Sequence, residues 1–237
     1  MHTLISTGMT PMQPTASIDQ IATQEFKVAF PELQAQPVQQ AQLRFFKRLD
    51  DAVADALSRT SVACQAGCDH CCHYVIRATG AELLMIRQHL LDHFPASRIK
   101  EVIDRAKANV QAGKGLSNEQ LTAINLACPF LSAGQCTIYP VRPANCRGYH
   151  STDAQQCRDT FERPQDVLPR KVARAVEDAA GGVLGGYLDA QKRAGLDTRE
   201  YELSSALVEA MASPQLAQRL KAGKKTLQKA RVMAGGA

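Results

Sequence analysis

Four cysteines lie within nine residues of this 237-residue chain, in the segment Cys64-Gln-Ala-Gly-Cys-Asp-His-Cys-Cys72. It holds four of the eight cysteines, the first group, and a second group of four follows after 55 residues with the spacing C-x7-C-x9-C-x10-C. Tetrahedral zinc and iron–sulfur clusters take four thiolates at once, often from two short sequence groups. Eight thiolates can fill two four-coordinate sites or one polynuclear site. The predicted metal ligands are Cys64, Cys68, Cys71, Cys72, Cys128, Cys136, Cys146 and Cys157.

Disulfide bonds and unrelated free thiols are the alternatives to metal binding. An even number of cysteines permits disulfides, but Met1 to Asp19 has neither the apolar core nor the basic lead-in of a signal peptide. Nothing approaches the roughly 18 consecutive apolar residues of a membrane span. We therefore expect a cytoplasmic protein with reduced thiols, long enough to build its core without disulfides. The neighbours Cys71 and Cys72 cannot easily bond to each other.

The composition argues against a nucleic-acid partner. The formal net charge is +5, Trp is absent and aromatic residues make up 5% of the chain. A basic surface with stacked aromatic rings is therefore not expected. The basic segment from Arg219 to Arg231 is interpreted as a solvated helix end rather than a binding patch.

Helical patterns flank the first group. Residues 1–16 resemble a disordered tail, and residues 17–237 are predicted to form one domain, with a cysteine-cluster region at 60–160 and a helical extension at 165–233. The predicted helices run from Ser17 or Asp19 to just before Pro31, from Val38 to near Arg59, from Gly80 to His93 behind the capping box of Thr79 and Glu82, from Arg98 to Gln111 behind Ser97, and onward from Ser117. Residues 74–77 are short and β-prone.

Turn-forming residues dominate the second group. Residues 132–135 predict a small hairpin that places Cys136 at its return, Pro143 predicts the first turn of a short helix with Cys146, and Cys157 falls on a further helix. Later helices are predicted at 167–192, 199–211 and 215–222, with the paired glycines at 181–182 and 185–186 favouring a break over close helix approach. The predicted fold is mainly α, with helices around a small irregular metal-bound centre and a short β-hairpin.

The first group contains C-x3-C-x2-C, the spacing with which radical SAM enzymes hold a [4Fe–4S] cluster. Those enzymes need a large βα barrel, and this sequence has no run of alternating strands and helices. The spacing therefore indicates that such a loop can hold iron and sulfur, not that the chain is a radical SAM enzyme.

The combination of motifs resembles the CxxCxxCC (YkgJ-type) cysteine-cluster family, described as zinc- or iron-chelating domains. The resemblance rests on the first group, Thr79-Gly-Ala-Glu82, Cys128-Pro-Phe-Leu131, Gly134-Gln-Cys-Thr-Ile-Tyr139, Arg142-Pro-Ala-Asn-Cys-Arg-Gly-Tyr149 and Cys157, and covers roughly residues 60–160. All eight family cysteines have counterparts. The first gap is three residues instead of two, which makes Cys64 the exception to the pattern. The resemblance implies metal chelation without a settled reaction.

Several charged and aromatic side chains lie near the cysteines in sequence, and for some of them two roles are open. Arg142, Arg147 and Arg158 are predicted either as donors to surplus thiolate charge or as surface ion pairs. Because eight cysteines suffice, His70, His73 and His150 are expected beside the metal or in solvent rather than as ligands. Tyr139 and Tyr149 are expected to pack, and Glu82 is explained by its capping box. Cys71 and Cys72 point apart in extended backbone, so they can serve different metals, or one of them is a spectator.

Three functions remain open from the sequence. The first is a metal-binding protein whose zinc, iron or iron–sulfur cluster has a structural or redox role. The second is a metal-dependent protein-modifying enzyme, since flagellin lysine N-methylases are similar in carrying such a cluster, although no glycine-rich SAM-binding βα unit is present. The third is a metal-stabilised interaction module that binds a protein partner through helices at 38–59 and 167–222. Thiolate ligands suit both zinc and iron. Both groups are predicted to build one shared centre.

Overall fold

The computed structural model describes residues 16–166 and 168–233, so the tail predicted at 1–16 lies outside the described residues except for its last residue. This part of the chain is mainly helical, as predicted. Its helices are α1 (Ile18–Ala35), α2 (Val38–Leu57), α3 (Gly80–His93), α4 (Ala96–Ala112), α5 (Asn118–Thr122), α6 (Ala144–Gly148), α7 (Ala154–Glu162), α8 (Arg174–Arg193), α9 (Leu203–Ala212) and α10 (Leu216–Lys221). Its strands are β1 (Arg77–Thr79), β2 (Leu131–Ser132), β3 (Gln135–Cys136) and β4 (Glu200–Glu202).

Helix α1 begins where the sequence predicts and ends later. Ser17 caps it in a reciprocal capping box with Gln20. The predicted end before Pro31 is wrong, because the helix continues through the proline to Ala35. The turn beyond Pro31 buries Leu33 and pairs Glu32 with Arg48, and these contacts offset the hydrogen bond that proline cannot donate.

The paired glycines of α8 allow close helix packing instead of the predicted break. The helix is continuous, and Gly182 and Gly186 face α1. A Cβ atom at Gly182 would lie 2.7 Å from Cβ of Ile21, so only glycine permits this approach. Helix α8 packs against α1 and α2, and Tyr187 stacks on Phe45 with 4.0 Å between the ring centroids. This packing outweighs the free-energy cost of glycine in a helix interior.

Helix α3 lies at the centre of a second packing cluster. The capping box of Thr79 and Glu82 and the predicted bounds are confirmed, and α3 contacts α9 and α10. Strand β1 precedes it and pairs antiparallel with β4, with Ala78 opposite Tyr201. The predicted helix start at Arg199 is therefore wrong, because residues 200–202 are held as a strand by a partner more than a hundred residues away in sequence.

Three other predicted boundaries differ locally. Helix α4 begins at Ala96 with Pro95 at its N-cap, so Ser97 is not the cap. The predicted start of α8 at residue 167 lies outside the described residues, and the helix begins at Arg174. The chain before it is extended because Val172 forms an antiparallel bridge with Ser151. The β-prone run at 74–77 becomes a strand only from Arg77.

The predicted hairpin is present as β2 and β3. Leu131 pairs with Cys136, and both turn residues have positive φ, 49° at Ala133 and 72° at Gly134. Pro143 is the N-cap of α6 rather than part of its first turn. Within the described residues, no helix is long and apolar enough to cross a bilayer.

Candidate metal centre

The structure brings both cysteine groups to one cavity of about 1070 Å³. Cys64 and Cys68 are exposed, Cys128 is buried and the rest are half-buried. In the described structure all eight are free thiols. The eight cysteines that line this cavity are Cys64, Cys68, Cys71, Cys72, Cys128, Cys136, Cys146 and Cys157.

The first group is held by short backbone contacts after α2 ends. Ala63 N–H donates to the carbonyl of Ser151 at 2.8 Å, and Ser151 N–H donates to Sγ of Cys64 at 3.3 Å. Cys71 and Cys72 lie on the single 3₁₀ turn His70–His73. The 3₁₀ turn fixes the directions of their side chains, which a free loop would not.

The second group is placed by one loop and three elements. Cys128 N–H donates to the carbonyl of Cys72 at 2.7 Å, which joins the two groups directly. Cys136 lies on β3, Cys146 on α6 and Cys157 on α7. Helix α7 begins at its cap Asp153, whose carboxylate accepts from Gln156 N–H at 2.9 Å.

Glu82 has a second partner that the sequence does not reveal. Its Oε2 completes the capping box with Thr79, and its Oε1 accepts from Ala144 N–H at 2.7 Å. Glu82 is buried, and burial raises its pKa while the hydrogen bonds from Ala144 and Thr79 oppose that rise. This carboxylate joins α3 to the first residue of α6, the helix that carries Cys146.

Burial favours protonated thiols over much of the cavity. It raises the pKa of Cys64, Cys136 and Cys146, and that of Cys128 to about 12. Cys72 differs, because a hydrogen bond from Cys71 lowers its pKa to about 7. That hydrogen bond raises the pKa of Cys71 itself. A metal that takes these sulfurs as thiolates must therefore displace protons.

Of the three predicted guanidinium donors, Arg142 lies at the cavity. Its guanidinium carbon is 3.8 Å from the ring centroid of Tyr139, and its charge lowers the pKa of Cys72, Cys136 and Cys146 against the effects of burial and neighbouring thiols. The other two arginines, Arg147 and Arg158, donate hydrogen bonds to other parts of the protein.

Arg147 and Arg158 have structural partners instead. Arg147 is buried and donates to Asp50 and to the carbonyls of Pro140 and Arg142. Its charge also lowers the pKa of Cys136, against the larger effect of burial. Arg158 is exposed and donates a hydrogen bond to the neutral side chain of Gln155, so it lies at the surface as the second alternative has it, but with an amide as the partner instead of the predicted carboxylate.

The histidines and tyrosines occupy different positions around the cavity. His70 and His73 pack against Phe161 of α7, with ring centroids 5.4 and 4.8 Å away. His150 lines the cavity, and burial lowers its pKa. Tyr149 lines the cavity as well. Tyr139 is 59% exposed, so its packing is confined to the Arg142 side of its ring.

The chemistry of the donor set fits a thiophilic metal, although the sulfurs are not drawn together. Across residues 16–166 and 168–233, no three His, Cys, Asp or Glu side chains form a group that could hold a metal ion as they lie. Eight thiols on the wall of one cavity match the ligand preference of zinc and iron. Metal binding would therefore require the cavity walls to move inward.

Comparison with known proteins identifies the cysteine-rich region. No curated protein and no solved structure matches the chain. A family model named CxxCxxCC, "Putative zinc- or iron-chelating domain", matches residues 63–166. This range contains all eight cysteines and agrees with the resemblance found over 60–160. Residues 63–166 of this chain are therefore similar to the CxxCxxCC domain.

Proposed function

We propose that this protein binds zinc, iron or an iron–sulfur cluster through its eight cysteines. The observation that carries the proposal is that two groups separated by 55 residues meet on the wall of one cavity. A chain that only needed buried thiols would have no reason to gather all of them in one place. The domain description, zinc- or iron-chelating, supports the same conclusion.

The residues around the cavity would prepare it for a metal. The cysteines would bind as thiolates, and four thiolates on one zinc leave a formal charge of about −2. Arg142 would offset part of that charge, since it already lowers the pKa of three of the sulfurs. When bound, zinc would supply structural cross-linking, whereas iron–sulfur would also supply one-electron transfer.

Metal content after anaerobic purification tests this function. We expect zinc or iron in the isolated protein, and a brown colour with absorption near about 400 nm if the metal is iron–sulfur. A double variant, Cys128→Ser with Cys146→Ser, should lose metal. His89→Ala is a control for surface metal, because His89 lies outside the cavity and its ring is tilted against that of His93, with 4.6 Å between the ring centroids. Wild-type protein that folds and stays metal-free with both metals supplied would contradict the proposal.

The volume of the cavity favours one second candidate, a metal-dependent protein-modifying enzyme. Ligand pockets are commonly about 300 to 1,000 Å³, and this cavity, about 1070 Å³, extends past the cysteines to His150, Arg170 and Glu177. A substrate side chain or cofactor would fit beside the metal. Calorimetric titration of the metal-loaded protein with SAM tests the SAM-dependent form, and an absence of binding would contradict it.

The third hypothesis, an interaction module, gains no support from the helices that suggested it. Helices α2 and α8 pack against each other and against α1. Phe45 of α2 and Tyr187 of α8 are both buried in that contact. The apolar faces at 38–59 and in much of 167–222 are therefore used within the chain.

A further inference from the structure

A second cavity, of about 540 Å³, lies between α4, α9, α10 and the C-terminal segment near Lys229. None of the described residues that line it is a cysteine, so the metal centre has no part in it. We propose that this cavity binds a small phosphate monoester, whose phosphate group is held by Ser213, Arg219 and Lys229. Arg219 and Lys229 both belong to the basic segment that ends at Arg231.

Ser213 provides a buried hydroxyl without a partner. It directly follows α9, lines the cavity and is only 7% exposed. Within the described residues its Oγ forms no hydrogen bond. A buried polar group that is left unpaired is destabilising. The hydroxyl can rotate to meet a ligand oxygen in the cavity, and that hydrogen bond would offset the cost.

Arg219 provides a guanidinium whose donors are not used by a carboxylate. Helix α10 buries Leu216 and Leu220, while Arg219 lies on the cavity wall. Its Nη1 is 3.7 Å from Oε1 of Glu209, which is too long for a hydrogen bond. Among the described residues no other carboxylate lies within 4 Å of it. The planar fork of N–H groups is therefore free to bind two oxygens of a phosphate.

Lys229 is held at the cavity by its backbone, which leaves its ammonium group free. Its N–H donates to Oε2 of Glu209 at 2.7 Å. The side chain is exposed and lines the cavity. A Lys ammonium on a flexible stem binds phosphate as a point charge, which complements the fixed fork of Arg219.

Glu209 is the one acidic side chain among the described residues of the wall, and its own charge is already compensated. Oε1 accepts from Gln228 N–H at 2.6 Å, and Oε2 accepts from the N–H groups of Lys229 and Ala230 at 2.7 and 2.8 Å. Hydrogen bonds of this kind stabilise a carboxylate without using a side-chain cation. Arg219 and Lys229 therefore bring two positive charges against one negative charge, which favours an anionic ligand.

The chemistry of the wall selects a phosphate that carries an apolar group. A phosphate group has about −1.5 to −2 charge and three strongly accepting oxygens, which match two cations and one hydroxyl. The cavity is larger than a phosphate ion and falls within the range of small-molecule sites, about 300 to 1,000 Å³. The rest of its wall includes apolar side chains, and Val110 among them is 40% exposed. These apolar residues are Val110, Val208, Ala212 and Pro214.

Calorimetric titration of the full chain with phenyl phosphate at low ionic strength tests the site. We expect phenyl phosphate to bind more tightly than inorganic phosphate, which lacks the apolar group, and than benzoate, which has one charge and two oxygens. Arg219→Gln should weaken the binding of phenyl phosphate by about 10-fold or more, because it removes hydrogen bonds to a charged group. Ser213→Ala should also weaken binding, but it should not lower the melting temperature, because the hydroxyl has no partner to lose.

Lys224→Gln is the matched control. It removes the same charge as Arg219→Gln from an exposed position in the same basic segment, outside the cavity wall. It should leave the affinity for phenyl phosphate unchanged. None of these three variants should change the metal content, because all three residues lie away from the cysteine-lined cavity.

The outcomes separate this site from the proposed metal binding. Failure of phenyl phosphate to bind would overturn the site, whether or not the protein holds metal. Equal weakening by Arg219→Gln and Lys224→Gln would show a general attraction of anions to the basic segment instead. Benzoate that binds as tightly as phenyl phosphate would overturn the choice of phosphate, and inorganic phosphate that does so would overturn the apolar group. Wild-type protein without metal would contradict only the metal-binding function.

Discussion

The buried carboxylate of Glu82 accepts a hydrogen bond from the backbone N–H of Ala144 at 2.7 Å. The helix that forms the middle of the core is thereby attached to the first residue of the helix that carries Cys146. A residue whose sequence context predicts only a helix cap therefore also fixes one wall of the cavity.

Glu82→Gln should lower the free energy of unfolding and loosen the attachment of α6 to α3 beside the cavity. Glu82 accepts from Thr79 with one oxygen and from Ala144 with the other. An amide replaces one acceptor with a donor, which leaves a buried N–H unpaired and costs about 1–3 kcal/mol. Urea denaturation measures this loss. The control is Glu119→Gln, an exposed residue in the first turn of α5, which should change stability by less than about 0.5 kcal/mol.

The glycines of α8 provide a matched pair of substitutions. A Cβ atom at Gly186 would collide with the backbone of Ala22 in α1, whereas one at Gly185 meets nothing within 4 Å. Gly186→Ala should destabilise the protein by about 1–3 kcal/mol through overpacking. Gly185→Ala should stabilise it by up to about 1 kcal/mol through helix propensity. Equal effects on the thermal midpoint would show that α1 and α8 do not pack this closely.

Local patterns predicted some of the helix starts, and distant contacts decided the rest. The capping box at Thr79 and the helix starts beside Ser17 and Ser117 depend on about four residues each, so the sequence could indicate them. The strand at 200–202 exists because β1 pairs with it, and no local signal identifies that partner. The role of the glycines in α8 was not predicted for the same reason, because it depends on where α1 packs.

The candidate site was predicted in content but not in arrangement. Residue type and spacing predicted eight cysteine ligands, and the structure places all eight on the wall of one cavity. The hydrogen bond from Cys128 N–H to the carbonyl of Cys72, and the contacts of Ser151 with Cys64, bring the two sequence groups together. Neither contact leaves a trace in the spacing.

Acid should destabilise the protein through Asp197. Burial raises the pKa of this carboxyl, but hydrogen bonds from Tyr201, Thr226 and Arg199 outweigh burial and leave the pKa lowered. The pKa of Asp197 is lower in the folded protein than in the unfolded chain, where it is about 3.9. The ionised carboxylate therefore stabilises the fold at pH values above about 3.9, and this stabilisation is lost as the pH falls through the pKa of the folded state.

Urea denaturation across pH measures this contribution. Asp197→Asn should be less stable than wild type at neutral pH, and the difference should shrink as pH falls below about 4. Asp189→Asn, an exposed change on α8, is the control and should change stability by less than about 0.5 kcal/mol. A pH-independent gap for Asp197→Asn would show that its hydrogen bonds do not depend on its charge.

Metal removal should loosen the irregular segments that carry the cysteines. Residues 58–69 and 123–130 lie in neither helix nor strand, so few hydrogen-bonded elements hold them. Structural zinc contributes on the order of 10 kcal/mol in small zinc peptides. A chelator should therefore lower the melting temperature and expose these segments to protease. An unchanged melting temperature after verified metal loss would argue against a structural role.

We expect metal retention to depend on the positive charge of Arg142. Its side chain lines the cavity, and its charge opposes the rise that burial produces in the pKa of Cys136 and Cys146. Removing the positive charge leaves the negative charge of the thiolates less compensated. Loss of such a supporting group costs about 10- to 100-fold in metal affinity. Arg142→Gln should therefore release metal to a competing chelator at a correspondingly lower concentration, and Arg142→Lys should recover part of the loss. Arg158→Gln removes an equal charge from an exposed position beside Cys157 in sequence, and it should leave retention unchanged. If both glutamine variants lose metal equally, net charge rather than the position of Arg142 governs binding.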